Sequence, residues 1–182
     1  MGNDVYVVWQ KEKSGISSTG DEALKELAKK SEICFAKYDS AGKCFRDAVF
    51  LTENDALDMM PKLASGEDGP AVFWVTNSEE DLLQKSGINR IVCAQSGQDG
   101  SFTEPQELCA VNAPIEEYAA FFRDGVPYAG YISEEEEGGA SRAYLAAQGG
   151  EPYALTDGGF RPAGIQFQGG RLCYVMDGKM HM

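Results

Sequence analysis

Glycine doublets start at residues 138, 149, 158 and 169, so 9 to 11 residues separate one from the next. Paired glycines supply the positive φ angles that a two-residue hairpin turn needs. The segments between them are strand-sized, except that Ala140 to Gln148 also suits a short helix. The run Ile165-Gln166-Phe167-Gln168, Gly169-Gly170, Arg171-Leu172-Cys173-Tyr174-Val175 predicts a β-hairpin, and an antiparallel β-meander finishes the chain. Only the turn chemistry recurs; the intervening sequences do not match, so no repeat family follows.

Upstream the pattern alternates. Val5 to Trp9 is a β-branched and aromatic run that reads as a strand, and Thr19-Gly20-Asp21-Glu22 reads as a capping box. Ala23, Leu24, Leu27 and Ala28 then form one apolar helical stripe. Ile33 to Tyr38 is the next strand, Asp39 to Gly42 a turn, and Cys44 to Leu51 a returning hairpin partner. Thr52 to Asp55 resembles a second capping box, opening a helix through Leu57, Met60 and Leu63 that Pro61 kinks or ends. Ala71 to Thr76 is a strand, Glu79 to Ser86 a short helix capped by Ser78, and Ile88 to Ala94 a further strand. Ile115 to Arg123 has Pro114 before it and Gly125 after it, which predicts a helix; Val126 to Ile132 is a strand. The expectation is therefore an α/β (α+β) protein. Residues 1–97 form a ferredoxin-like βαββαβ unit, and residues 98–182 an acidic mixed α/β unit ending in the meander. Ser96 to Ser101, polar and glycine-rich, marks the boundary unless the two units form one continuous domain.

Composition narrows the function. With 182 residues, 43% of them hydrophobic, the chain can bury a real core. No apolar run nears the roughly 18 residues of a membrane span, and no basic region precedes the first apolar segment, so a cytoplasmic protein is expected. Cys34, Cys44, Cys93, Cys109 and Cys173 are odd in number and lack CxxC spacing, which argues against a disulfide framework or zinc knuckle. The net charge of −13 opposes direct nucleic-acid binding and suits a basic protein partner.

The single histidine, His181, is next to last, so no Ser-His-Asp site, HExxH motif or histidine metal cage can form. A phosphate-binding GxxxxGK[ST] loop is absent as well. The expectation is a protein with no catalytic residues, metal or cofactor. A carboxylate enzyme using Mg²⁺ stays open as one alternative, and a regulatory or housekeeping binding domain as another. The acidic clusters remain. Glu79 to Asp81 and the pair Glu116-Glu117 fit first helical turns, where negative charge complements the helix dipole, and Glu116 and Glu117 also count among the candidate partner-binding residues. Glu134, Glu135, Glu136 and Glu137 repel one another and match no cap, so they read either as a solvated loop or as a docking surface for Lys and Arg. Residues 98–182 carry 5 basic and 13 acidic side chains, the more anionic part. Tyr118, Phe121, Phe122, Tyr128 and Tyr131 lie near it as candidate aromatic anchors for a partner, with core packing the expected role of at least half of them.

A small acidic chain with a dense glutamate run and no catalytic set resembles the anti-CRISPR inhibitors of phages and mobile elements, above all those directed at Cas9. That resemblance implies a DNA mimic: a non-catalytic inhibitor whose carboxylates stand in for phosphates. It would occupy the basic channel of a Cas9-type nuclease, with or without guide RNA, and block DNA binding or cleavage.

Overall fold

In the strand β6 (Pro70–Asn77) the five successive residues Ala71, Val72, Phe73, Trp74 and Val75 are all buried. Side chains alternate across a strand, so an unbroken buried run means that both faces of its sheet are covered. This observation organises the molecule. The computed structural model describes residues 4–66, 68–79, 81–134 and 139–182.

Four antiparallel sheets follow one another along the described chain. Sheet I holds β1 (Tyr6–Glu12), β2 (Ser31–Asp39), β3 (Cys44–Phe45) and β4 (Val49–Phe50), with the helix α1 (Asp21–Lys29) inserted between β1 and β2. Sheet II is the meander of β5 (Leu57–Ser65), β6, β7 (Asn89–Gln95) and β8 (Gln106–Val111). Sheet III runs β9 (Ile115–Arg123), β10 (Val126–Glu134), β11 (Ser141–Ala147) and β12 (Tyr153–Ala154). Sheet IV is β13 (Ala163–Gln168), β14 (Arg171–Met176) and β15 (Lys179–His181).

The apolar clusters show how the sheets stack. Ile33 and Phe35 of sheet I meet Val72, Trp74, Val92 and Ala94 of sheet II. The other face of sheet II, with Phe73, Val75, Ile91 and Cys93, meets Ile115, Tyr118, Ala129 and Tyr131 of sheet III. Ala119, Ile132 and Ala143 on the far face of sheet III meet Ile165, Phe167 and Leu172 of sheet IV. The order is I–II–III–IV, and β1, β5, β9 and β13, the first strand of each sheet, neighbour one another in turn. Among the described residues, no helix is long and apolar enough to cross a membrane.

This architecture overturns the ferredoxin-like α/β expectation. The helix expected from Thr52 through Leu63 is instead the strand β5. Its apolar residues have helical spacing, but Pro61 lies in a bulge: Met59 pairs with Val75 and Lys62 with Phe73, leaving Met60-Pro61 opposite Trp74. Met60 takes a φ of 56° there. A bulge is one of the few interior strand positions that tolerate proline. Ile115 to Arg123 is β9 and not a helix, and Ala140 to Gln148 is mostly β11. Both lie in sheet III, whose two covered faces remove the polar alternation and leave a pattern that mimics a helix. The described residues of the segment expected as a helix from Glu79 to Ser86 form turns and bends instead, and Glu80 lies outside the described residues. Asp81 accepts hydrogen bonds from the backbone N–H groups of Leu83, Lys85 and Ser86, competing with helical bonding. The helix α1 is present, but Gly20 is its N-cap and no side chain caps it; Glu26 reaches back to the N–H groups of Ser17 and Ser18. Ser96 to Ser101 is the β7–β8 connection, so strand pairing in sheet II spans the boundary between residues 1–97 and 98–182.

The terminal hairpin forms as expected, with Gln168 opposite Arg171 and φ of 59° and 78° at Gly169 and Gly170. Replacing both glycines by alanine is expected to cost about 1–2 kcal/mol per residue, the penalty of a left-handed backbone with a Cβ. A lowered urea midpoint at unchanged slope checks it.

Candidate functional site

The structure scatters the residues expected to bind a partner. Tyr118 and Tyr131 are each 1% exposed and belong to the core between sheets II and III. The Tyr118 hydroxyl donates to the backbone carbonyls of Met60 at 2.6 Å and Phe73 at 3.0 Å, and the Tyr131 ring stacks on Tyr144. Phe122 is half-buried edge-on to Phe73; Tyr128, also half-buried, stacks on Phe121. The two carboxylates following Ile115 are occupied internally. Glu116 accepts from the Ser141 hydroxyl and pairs with Arg161 at 2.6 Å, while Glu117 accepts from the N–H groups of Gly164 and Ile165 and ties sheet III to sheet IV. Glu134 ends β10 at this same edge; with Glu116 and Glu117 it raises the Arg161 pKa, the Glu116 hydrogen bond being the largest cause. Glu135, Glu136 and Glu137 lie outside the described residues.

A concave site exists elsewhere, between one end of sheet I and the turns of sheet II. The cleft measures about 430 Å³, within the roughly 300–1,000 Å³ usual for ligand sites. Its floor is Tyr6 stacked on Phe35, ring centroids 5.6 Å apart, with Phe102 edge-on behind Phe35. Around the mouth stand Asp4, Asp47, Asp68 and Asp99 against Lys37 and Arg46. Lys37 pairs with Asp4 at 2.8 Å and hangs 5.5 Å over the Tyr6 ring, which holds the Asp4 carboxyl below its usual range. Asp99 accepts from the Ser101 hydroxyl and N–H, bonds that likewise lower its pKa and close the glycine-rich β7–β8 loop. Asp68 accepts a 3.2 Å bond from the Gln98 amide. Asp47 makes no side-chain hydrogen bond or ion pair among the described residues. With one lysine neutralised by Asp4, the mouth retains an excess of carboxylate over an aromatic floor, a setting for a cation. Sequence reasoning missed this cleft because its walls come from positions 4 to 100; the one available signal was the Ser96–Ser101 loop, read as a boundary.

Other chemistry-bearing groups serve packing. Cys34, Cys93, Cys109 and Cys173 are buried, and burial pushes the Cys93 thiol up to about 12 and Cys109 up to about 11, far from the thiolate that reacts or binds metal. Among the described residues, no group of three or more His, Cys, Asp and Glu side chains is placed to hold a metal ion. His181 stacks on Tyr174 across β14 and β15. No known protein family, curated protein or solved structure matches the chain.

Proposed function

We propose that this chain is a non-catalytic binding protein for a basic protein partner, and that the cleft between sheets I and II receives the partner's cationic side chains. The carrying observation is the excess of aspartate around a stacked Tyr6–Phe35 floor. Guanidinium and ammonium groups gain from carboxylates beside aromatic surface, as the Lys37 ammonium over the Tyr6 ring and against Asp4 already does. The overall charge of −13 adds long-range attraction and speeds encounter with such a partner.

The test is a binding titration at low and near-physiological salt. The baits are an arginine- and lysine-rich peptide and a Cas9-type nuclease with and without guide RNA, the partner class that the sequence resemblance implies. Asp47→Asn with Asp68→Asn is expected to weaken peptide binding on the order of tenfold at low salt, two exposed charge contacts at up to about 1 kcal/mol each. Salt should shrink that difference. A parallel variant with Glu134 to Glu137 all changed to Gln reports on the glutamate run as the docking surface. Loss of binding in that variant alone moves docking away from the cleft. Failure of every cationic bait to bind the wild type rejects the binding reading.

A further inference from the structure

Two carboxylic acids are buried together where β2 of sheet I crosses β5 of sheet II. Glu32 is 1% exposed and Asp58 is fully buried. Each of their four oxygens meets a neutral donor. Glu32 accepts from the Thr52 hydroxyl and from the Asn54 N–H at 3.2 Å; Asp58 accepts from the Trp74 indole N–H at 2.9 Å and from the Asn54 side-chain amide at 3.0 Å. Asn54 thus bonds both acids, and Thr52 also accepts from the Ile33 N–H at 2.9 Å. Ser31, beside Glu32, completes the joint by donating to the Asp58 carbonyl.

The charged groups around the pair are largely engaged elsewhere. Lys13 faces Glu32 but is paired with Glu53, and Lys30 pairs with Glu26 at 2.5 Å. Lys29 and Asp55 line the same shallow hollow outside Glu32, and Lys11 is its cross-strand neighbour on β1. On sheet II, β6 offers only Trp74 and Thr76, and Arg90 of β7, in register with Thr76, pairs with Glu107 at 3.0 Å. Two adjacent acids with neutral donors and little water cannot both ionise cheaply, and one retained proton relieves both.

We propose that Glu32 and Asp58 form a proton-held latch that fastens sheet I to sheet II and loosens as the pH rises. Burial is the main cause holding both carboxyls above their usual range, and for Glu32 the charge of Asp58 adds to it. An acid that binds its proton more tightly folded than unfolded stabilises the fold below its unfolded titration point, and that contribution is lost as pH climbs through the folded one. Sheet I also supplies Tyr6, Phe35 and Lys37 to the cleft at the other end of β2, so loosening it would open the cleft wall. The latch does not depend on what the cleft binds.

Two measurements on the whole chain test it. Carbon-detected NMR titration of the wild-type side-chain carboxyls is expected to show at least one of Glu32 and Asp58 titrating above the ordinary carboxylate range. Hydrogen exchange between pH 5 and 8, corrected for intrinsic rates, is expected to show sheet I opening more readily as pH rises. For one proton the opening constant grows by up to about tenfold per pH unit between the unfolded and folded titration points, then levels off. Glu32→Gln, which carries fixed donor protons, should flatten that rise in β1 and β2 and leave sheet IV unchanged. If that variant does not fold, the wild-type titration decides alone. Ordinary titration of both acids, or protection of β1 and β2 that ignores pH, overturns the latch.

Discussion

Tyr118→Ala is expected to cost about 3–5 kcal/mol of unfolding free energy, in the range for emptying a large buried aromatic site. The ring fills the space between sheets II and III, and its hydroxyl ends on two backbone carbonyls. One of those carbonyls belongs to Met60 in the bulge of β5, where the regular ladder is interrupted. Tyr118→Phe separates the two contributions. It keeps the packing and strips the donor, so it should cost only about 1–3 kcal/mol, the usual penalty for leaving a buried polar group unpaired. Urea unfolding of the two variants checks both figures. A near-neutral Tyr118→Ala would mean that the residue lies outside the core and is free to contact a partner.

The second large effect is expected at Trp74→Phe, at about 2–4 kcal/mol. The smaller ring leaves a void beside Ile33 and Phe35, and the lost indole N–H deprives Asp58 of a donor. Because that hydrogen bond favours the charged form of Asp58, its loss should hurt more at pH 8 than at pH 5. Chemical denaturation at the two pH values checks the sign. A cost that does not vary with pH would leave only the packing contribution.

The elements legible in the sequence were those decided by neighbours along the chain. The Gly169-Gly170 hairpin, β6 and the stripe that makes α1 are all of that kind. β9 was misread, and β11 left open between strand and short helix, because a strand covered on both faces loses its alternation, and Tyr118, Ala119 and Phe122 then fall at helical spacing; β5 was misread because the Met60-Pro61 bulge breaks its alternation. The capping-box reading at Thr52 failed for a related reason. Its hydroxyl is drawn into the long-range network around Glu32. At the candidate site, acidity was legible but its use was not. Glu116 and Glu117 are spent on internal bonds, whereas Asp47 and Asp68, which carry no motif, are brought to the mouth of a cleft by turns far apart in sequence.

The serial stacking of the sheets bears on how the molecule comes apart. Each sheet meets mainly the one before and the one after, so cooperativity is nearest-neighbour and stability is close to a sum over three interfaces. The outer sheets each lean on one such interface, the inner two on a pair. Fraying should therefore begin at either end and travel inward, while a defect between sheets II and III divides the array at its middle. Sheets I and IV are the parts of this protein expected to detach and return without the rest unfolding.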